Sequence, residues 1–170
     1  MSNELSLDVV NVKRMYNWFY HGFDNFKNNE FDVIVSSLMV HYFNDLEPLF
    51  KEVSRLLKKR GEFIFSMHHP VMEVTHRLGV NGKKDKNKLI LKDYFKEEKY
   101  SWKLGKEMKN MIAYHHTFET IIQSLVKEGF VVENLFETRP KKILEKIDKK
   151  DYDRANKKPS FIVIKARKVR

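Results

Sequence analysis

The clearest pattern of apolar and polar positions lies in the first half of the chain. Residues 31–37, FDVIVSS, form a nearly continuous apolar run rich in β-branched residues, which predicts a strand buried on both faces of a parallel sheet. Asn44 or Asp45 then caps a stretch with apolar residues at helical spacing, and Gly61 is predicted to end this helix. Residues 62–67, EFIFSM, follow as the next strand. Strand, helix and strand with short connections predict a right-handed βαβ unit.

The second half of the chain predicts another helix and two more strands. Thr117 caps the helix and Gly129 ends it. Residues 130–137 and 160–167 are predicted strands, and a lysine-rich helix or pair of turns covers 141–156. This alternation of strands and helices indicates an α/β fold. The predicted inward face of the helix consists of Phe118, Ile121, Ile122, Leu125 and Val126.

Two regions have weaker patterns. Residues 71–112 are a long, polar and basic excursion, which predicts an insertion that is either functional or mobile. Near the start, residues 7–12 are predicted as a short strand, and apolar residues at near-helical spacing follow over 15–26. Because no repeat or linker interrupts the chain, we expect a single domain over residues 1–170.

Composition narrows the classes of function. The chain contains no cysteine, which excludes disulfides, thiolate metal sites and cysteine nucleophiles. No apolar run approaches the roughly 20 residues that cross a membrane, and the first residues do not resemble a signal peptide, so we expect a cytoplasmic protein. The net charge of +10 comes entirely from residues 81–170, which carry +11, whereas residues 1–80 carry −1. Such an excess suits anionic partners such as RNA, but the basic runs lack interleaved aromatics, so we expect a solvated lysine-rich surface and no nucleic acid.

Specific residues in this pattern carry a family resemblance. The predicted strand begins with Phe31-Asp32 and ends in Ser36-Ser37, a loop with His41-Tyr42 follows, and Lys59-Arg60-Gly61 precedes the next strand. In order and spacing this segment resembles the middle of a class I S-adenosylmethionine-dependent methyltransferase of the small-molecule, methyltransferase type 11-like branch. The resemblance to that branch continues later in this chain, at His68-His69-Pro70 and at residues 113–140 and 158–168.

The resemblance implies a Rossmann-like α/β sheet flanked by helices. The family's first strand and its glycine-rich cofactor loop have no counterpart here, so we expect an N-terminally truncated member with strands equivalent to 4-5-7-6, the last strand antiparallel. Strand 31–37 then lies at an edge of the sheet. An uncovered apolar edge invites pairing, so we expect residues 7–26 to cover it or two chains to meet there as a homodimer.

The resemblance also implies S-adenosylmethionine as the cofactor and a small-molecule methyl acceptor. Histidine titrates near neutral pH, which makes His41, His69 and His115 candidates for a general base. The alternative for each is a hydrogen-bonded structural histidine. The predicted cofactor-binding residues are Asp24, Ser36, Ser37, Leu38, His41 and Tyr42.

A metal site is not expected, although several histidines could converge in space. No H-E-x-x-H pattern and no set of two histidines with a carboxylate is evident in the sequence. The histidines concerned are His68, His69, His76, His115 and His116.

Three functions remain open at this point. The first is methyl transfer to a small molecule, with residues 71–112 as a substrate lid. The second is a non-catalytic relative of the fold that serves as a binding or assembly module. The missing glycine-rich loop favours this second function. The third and weakest is an RNA-associated protein that uses the basic second half.

Overall fold

The computed structural model describes residues 23–77, 93–104 and 108–170. The strand predicted over 7–12 and most of the apolar stripe over 15–26 lie outside these residues. The described elements, in chain order, are β1 (Phe31–Ser37), a 3-10 helix (Val40–Tyr42), α1 (Leu46–Leu56), β2 (Leu57–His68), α2 (Pro70–Arg77), β3 (Lys99–Leu104), β4 (Met108–Tyr114), α3 (Phe118–Lys127), β5 (Phe130–Glu137), α4 (Lys142–Ile147), α5 (Lys149–Ala155) and β6 (Phe161–Lys168).

Four strands form the main sheet in the order β1-β2-β6-β5. Strands β1 and β2 are parallel, whereas β6 runs antiparallel to both of its neighbours, β2 and β5. The order 4-5-7-6 with an antiparallel last strand is therefore confirmed. Helices α1 and α3 pack together on one face of the sheet, and their apolar side chains join those of β2, β5 and β6 in the core.

Helix α1 begins as predicted and ends earlier. The Asp45 side chain accepts a hydrogen bond from the Glu47 backbone N–H and caps the helix. Its last residue is Leu56, several residues before the predicted stop at Gly61. The reason is that the N–H groups of Asn29 and Glu30 bind the carbonyls that end the helix, so those carbonyls are satisfied without another turn.

Gly61 has a different role from the predicted helix stop. It lies within β2, beside a bulge in the pairing with β1, and Arg60 carries the positive φ of 67°. A Cβ atom on Gly61 would lie 2.8 Å from the Lys58 carbonyl oxygen and 3.2 Å from that of Asp32. Glycine therefore permits the two strand backbones to approach each other at this bulge.

Strand β1 is not buried on both faces, so that prediction was wrong. Val33 is 48% exposed and Val35 69% exposed, and among the described residues β1 is an edge strand of the sheet. An apolar groove of about 250 Å³ lies beside it, lined in part by Phe26 and Phe31. The rings of these two residues pack edge to face at 5.2 Å.

Helix α3 follows the sequence prediction except at one position. Thr117 caps it by accepting a hydrogen bond from the Thr120 N–H, and Gly129 ends it with a φ of 84°. Ile121 and Leu125 are fully buried, but Val126 is 51% exposed. Val126 follows Leu125 by one residue, a rotation of about 100° that turns it away from the sheet.

The long excursion after β2 contains regular structure. Helix α2 follows β2 directly, and β3 and β4 pair as an antiparallel hairpin. Tyr100 and Ala113 of this hairpin pack with Tyr42 and Met111 in a small second core. Within the described ranges, no helix has the length and apolar character needed to span a membrane.

Candidate functional site

The predicted site residues at the end of β1 meet the end of β2. Leu38 has a φ of 52°, and its backbone N–H donates to both the carbonyl and the hydroxyl of Ser66, each at 3.0 Å. This turn leaves Ser37 and Leu38 exposed at the carboxyl edge of the parallel strands, where open α/β sheets bind their ligands.

Ser36 adds a polar atom to this edge. Its hydroxyl oxygen is buried and has no hydrogen-bond partner among the residues that the structure describes. A buried hydroxyl of this kind is usually satisfied by a partner. Together with the exposed Ser37 beside it, Ser36 fits a ligand rich in hydrogen-bonding groups.

His41 and Tyr42 lie deeper, beneath the β3–β4 hairpin. The His41 ring is fully buried and stacks on His68 with centroids 3.9 Å apart. Burial, helped by the nearby His68 and His116, lowers the pKa of His41 to about 2. His41 is therefore neutral at physiological pH and a weak base.

His69 pairs with an acidic residue near the end of β5. Its Nδ1 accepts a hydrogen bond from the Val71 N–H at 3.2 Å, so Nε2 carries the proton and donates to Glu137 Oε1 at 3.0 Å. Burial lowers the pKa of His69, and Glu137 partly offsets that effect. The ring is thus held in one tautomer at the edge of the core.

His115 forms a pair with Glu73 that is completely buried. His115 Nδ1 lies 2.8 Å from Glu73 Oε2, and both side chains have no exposed surface. His115 Nε2 lies 2.7 Å from the Tyr94 carbonyl oxygen. Burial raises the pKa of the Glu73 carboxyl to about 7, against the opposing effects of His115 and Tyr100.

Asp24 lies apart from the other predicted cofactor-binding residues. Arg55, in the last turn of α1, donates to the carbonyls of Phe23 and Phe26 on either side of it. This anchors Asp24 near the amino end of β1, whereas Ser36 and Ser37 stand at the carboxyl end. The structure therefore gathers five of the six cofactor candidates and leaves Asp24 separate.

Sequence and fold comparisons agree on the family. Residues 8–65 match the model of a methyltransferase domain. The fold superposes with a TM-score of 0.68 on an S-adenosylmethionine-dependent methyltransferase from Mesorhizobium loti, at 25% identity over 84% of this chain and 64% of that one. The chain has the fold of the class I S-adenosylmethionine-dependent methyltransferases.

Two further relatives extend the match. A Listeria monocytogenes protein assigned to the same methyltransferases has a TM-score of 0.69 at 27% identity, over 84% of this chain and 63% of that one. An uncharacterized protein of Haemophilus influenzae is 29% identical over 149 residues, 83% of this chain and 55% of that protein. The chain therefore spans between half and two thirds of the length of these three relatives.

Two further buried histidines also make hydrogen bonds in the structure. His68 Nδ1 lies 2.7 Å from the Tyr100 hydroxyl, and His116 Nε2 donates to the Phe43 carbonyl at 2.8 Å. Across the described part of the chain, no group of three histidine, aspartate or glutamate side chains is placed to hold a metal ion. The His76 side chain lies outside that part.

Sequence reasoning missed Glu73 and gave no catalytic or polar role to Tyr100. Glu73 stands between Met72 and Val74, which are both buried, so the signal was an acidic residue in an apolar stretch of a helix. Buried acids are rare unless they are paired. Nothing in the sequence indicated that His115, 42 residues later, would supply that pairing.

Proposed function

We propose that this chain binds S-adenosylmethionine across the carboxyl ends of β1 and β2 and transfers its methyl group to a small molecule. The observation that carries this proposal is the likeness to the methyltransferase structures at 25% and 27% identity, with TM-scores of 0.68 and 0.69. Because the chain spans less than two thirds of those proteins, catalysis by the chain on its own is part of the proposal.

The proposed cofactor contacts come from the turn after β1. Ser36, Ser37 and Leu38 offer a buried hydroxyl, an exposed hydroxyl and a strained turn at one edge of the sheet. His41 and Tyr42 follow in the same loop. The cofactor-binding role of Asp24 remains a prediction, and its position beside Arg55 does not support that role. When bound, the cofactor supplies a methyl group on a positively charged sulfur, and the protein aligns the acceptor with it.

We propose that the acceptor lies on the side of His69 and His115, with residues 71–112 as its lid. The support is that the β3–β4 hairpin covers the loop after β1 through the contact of Tyr100 with Tyr42. A lid of this kind excludes water from the reacting groups when it closes. We treat the whole chain as one domain that includes this lid.

Calorimetric titration with S-adenosylmethionine and S-adenosylhomocysteine tests cofactor binding directly. We expect heat of binding with the wild-type chain and none with Ser37→Trp, which fills the carboxyl edge. Asn134→Trp, an exposed position on β5 at the opposite edge of the sheet, is the matched control and should bind as the wild type does. Absence of heat and of any thermal shift with the wild-type chain at about millimolar ligand would contradict the proposal.

A non-catalytic assembly module is the second candidate function, and one observation favours it. Val33 and Val35 are exposed on the edge strand β1, and an exposed apolar edge favours pairing with another chain. We propose that this edge pairs with a second copy of the chain. Sedimentation velocity would show a concentration-independent monomer if this proposal is wrong.

RNA binding is the least supported alternative. Basic residues of the second half have acidic partners within the chain, such as Lys165 with Glu62 at 2.7 Å and Arg167 with Glu133 at 2.6 Å. Pairing of this kind leaves less unbalanced positive charge for a nucleic acid. We propose a cytoplasmic location and no RNA partner, and salt-sensitive RNA retention in a filter assay would contradict the latter.

A further inference from the structure

The connection between β5 and β6 leaves the sheet as two short helices, α4 and α5. We call residues 138–158, which include both helices, the basic helix pair. The two helices pack mainly against each other, and neither contains a buried side chain. A helix on the surface of a compact domain usually buries one apolar face. Because the basic helix pair buries none, its side chains are available for contact with a partner.

Both ends of the basic helix pair are fastened at the carboxyl end of β2. The N–H and the hydroxyl of Thr138 donate to the Phe161 carbonyl, each at 3.1 Å. After α5, the Ser160 carbonyl accepts a hydrogen bond from the His69 N–H at 3.1 Å. His68, the last residue of β2, pairs with Phe161 on β6. The two ends therefore lie at the same edge of the sheet as the candidate site.

Two isoleucines of α4 are exposed on one side of the helix. Ile143 is 58% exposed and Ile147 is 76% exposed. Residues four positions apart in a helix lie one turn apart on the same face. Removing such apolar surface from water is favourable, roughly in proportion to the area removed. This side of α4 would therefore gain free energy from contact with an apolar phase.

Unbalanced positive charge accompanies the two isoleucines. The basic helix pair contains nine lysine and arginine residues and four aspartate and glutamate residues, a net charge of +5. Three of the four acidic side chains already pair within it, as Glu145 does with Lys149 at 3.3 Å and Asp151 with Arg154 at 3.0 Å. Six exposed basic side chains form no ion pair within the part of the chain that the structure describes: Arg139, Lys141, Lys142, Lys146, Lys150 and Lys157.

The residue types in the basic helix pair distinguish between the classes of anionic partner. Residues 141–150, KKILEKIDKK, contain five lysines and neither an arginine nor an aromatic residue. Protein interfaces are enriched in arginine and aromatic residues and depleted of lysine, and proteins that bind single-stranded nucleic acid stack its bases on aromatic side chains. Lysines beside exposed aliphatic side chains suit the surface of an anionic bilayer. The composition therefore favours a lipid surface.

We propose that the basic helix pair docks on the surface of a membrane that contains anionic phospholipids. Ile143 and Ile147 enter the boundary between headgroups and acyl chains, while Lys142 and Lys146, each one position before an isoleucine, keep their ammonium groups among the phosphates. The contact is peripheral, because α4 has six residues and a helix that spans a bilayer needs roughly 20.

This docking does not depend on the proposed methyl transfer. It is compatible with the proposed cytoplasmic location, because the cytoplasmic leaflet of a membrane carries anionic lipids. The basic side chains concerned also differ from Lys165 and Arg167, whose charges are balanced by Glu62 and Glu133. Attraction to an anionic surface therefore comes from the basic helix pair and less from β6.

Co-sedimentation of the full chain with lipid vesicles tests the proposal. We expect the wild type to bind vesicles of equal parts phosphatidylcholine and phosphatidylserine, and not vesicles of phosphatidylcholine alone. Each lysine at an anionic surface contributes about a fivefold factor, so Lys142→Gln combined with Lys146→Gln should weaken binding about 25-fold. The matched control, Lys51→Gln combined with Lys59→Gln, removes two exposed lysines of α1 and β2 that also form no ion pair with the described residues. It should bind as the wild type does.

A second pair of substitutions separates insertion from attraction between charges. Ile143→Ser combined with Ile147→Ser keeps every charge and removes only apolar surface, so binding to the anionic vesicles should weaken severalfold. Val126→Ser is the control, since Val126 is 51% exposed on α3, and it should bind as the wild type does. All the substituted side chains are exposed, so circular dichroism should show that each variant folds as the wild type does.

Three outcomes would overturn the docking proposal. The wild type could remain in the supernatant with anionic vesicles, the control lysine variant could lose as much binding as the variant of Lys142 and Lys146, or the isoleucine variant could bind as tightly as the wild type. Filter retention of single-stranded RNA that depends on Lys142 and Lys146, without binding to vesicles, would also refute the proposal and assign the surface to nucleic acid.

Discussion

The charged ammonium group of Lys168 is almost completely buried. The residue is 9% exposed, and its ammonium lies 2.7 Å from the Ser54 carbonyl, 2.8 Å from the Leu57 carbonyl and 3.0 Å from Asn29 Oδ1. Burial lowers its pKa. These acceptors belong to the end of α1 and the segment before β1, so Lys168 fastens the last strand to the first βαβ unit.

We predict that Lys168→Met lowers the free energy of unfolding by about 2–3 kcal/mol, because the variant leaves buried carbonyls without a donor. Urea denaturation measures the loss. Lys165→Met is the control on the same strand, since Lys165 pairs with Glu62 and Glu133 in a more solvated position, and its loss should be much smaller. Equal losses for the two variants would show that Lys168 does not cap α1.

At the scale of single residues, helix caps could be predicted from the sequence, but contacts between side chains far apart in the chain could not. The caps at Asp45 and Thr117 were predicted because capping depends on residues two or three positions away. Glu73 was missed because its partners, Tyr100 and His115, stand 27 and 42 residues later in the chain. Its apolar neighbours, Met72 and Val74, are a local sign of burial, but they do not identify the partners of Glu73.

At the scale of elements, β1 shows how the same run of residues can be interpreted in two ways. A continuous apolar strand predicts burial on both faces, and the family resemblance predicts an edge position. The edge position is confirmed among the described residues, whereas burial on both faces is not, since Val33 and Val35 are exposed. The β3–β4 hairpin was not predicted, because its apolar residues contact a small second core and leave Ile112 46% exposed.

We predict that Val35→Lys abolishes the self-association that we propose for this edge, since a charged side chain on an edge strand opposes pairing with another strand. Val35 is 69% exposed, so we expect the stability of the monomer to change little. Sedimentation velocity over a range of concentrations measures the effect. Val131→Lys on β5, which is 50% exposed at the opposite edge, is the control. Dissociation by Val131→Lys alone would assign the contact to β5.

At the scale of the whole molecule, several histidines lie buried in the part of the chain that the structure describes. Five are at most 2% exposed: His41, His68, His69, His115 and His116. Burial lowers the pKa of His41, His69 and His116. Burying these rings without a charge links the stability of the fold to pH, because the unfolded chain can protonate them and the folded chain resists protonation.

The sign of the pH dependence follows from these shifts. An unfolded histidine titrates near 6.5, so below that pH the unfolded state binds more protons at the three positions, and stability falls. Glu73 acts in the opposite direction. Its pKa is raised from 4.5 to about 7, so the folded state binds a proton that the unfolded state lacks, and acidification across that window stabilises the fold. Between pH 6.5 and 5.5 the gain from Glu73 roughly offsets the loss from His41, so the net effect comes from His69 and His116 and is a loss of stability in acid.

We therefore predict that the free energy of unfolding falls as the pH is lowered from about 6.5 to about 5.5, with His41 contributing about 1 kcal/mol of the loss. Urea denaturation at each pH measures the slope. His41→Gln removes one of the three destabilising groups, so its slope should be shallower than that of the wild type. Glu73→Gln removes the opposing group, so its slope should be steeper. Identical slopes for the two variants, or a stability that does not change over this range, would mean that the buried histidines accept protons in the folded state.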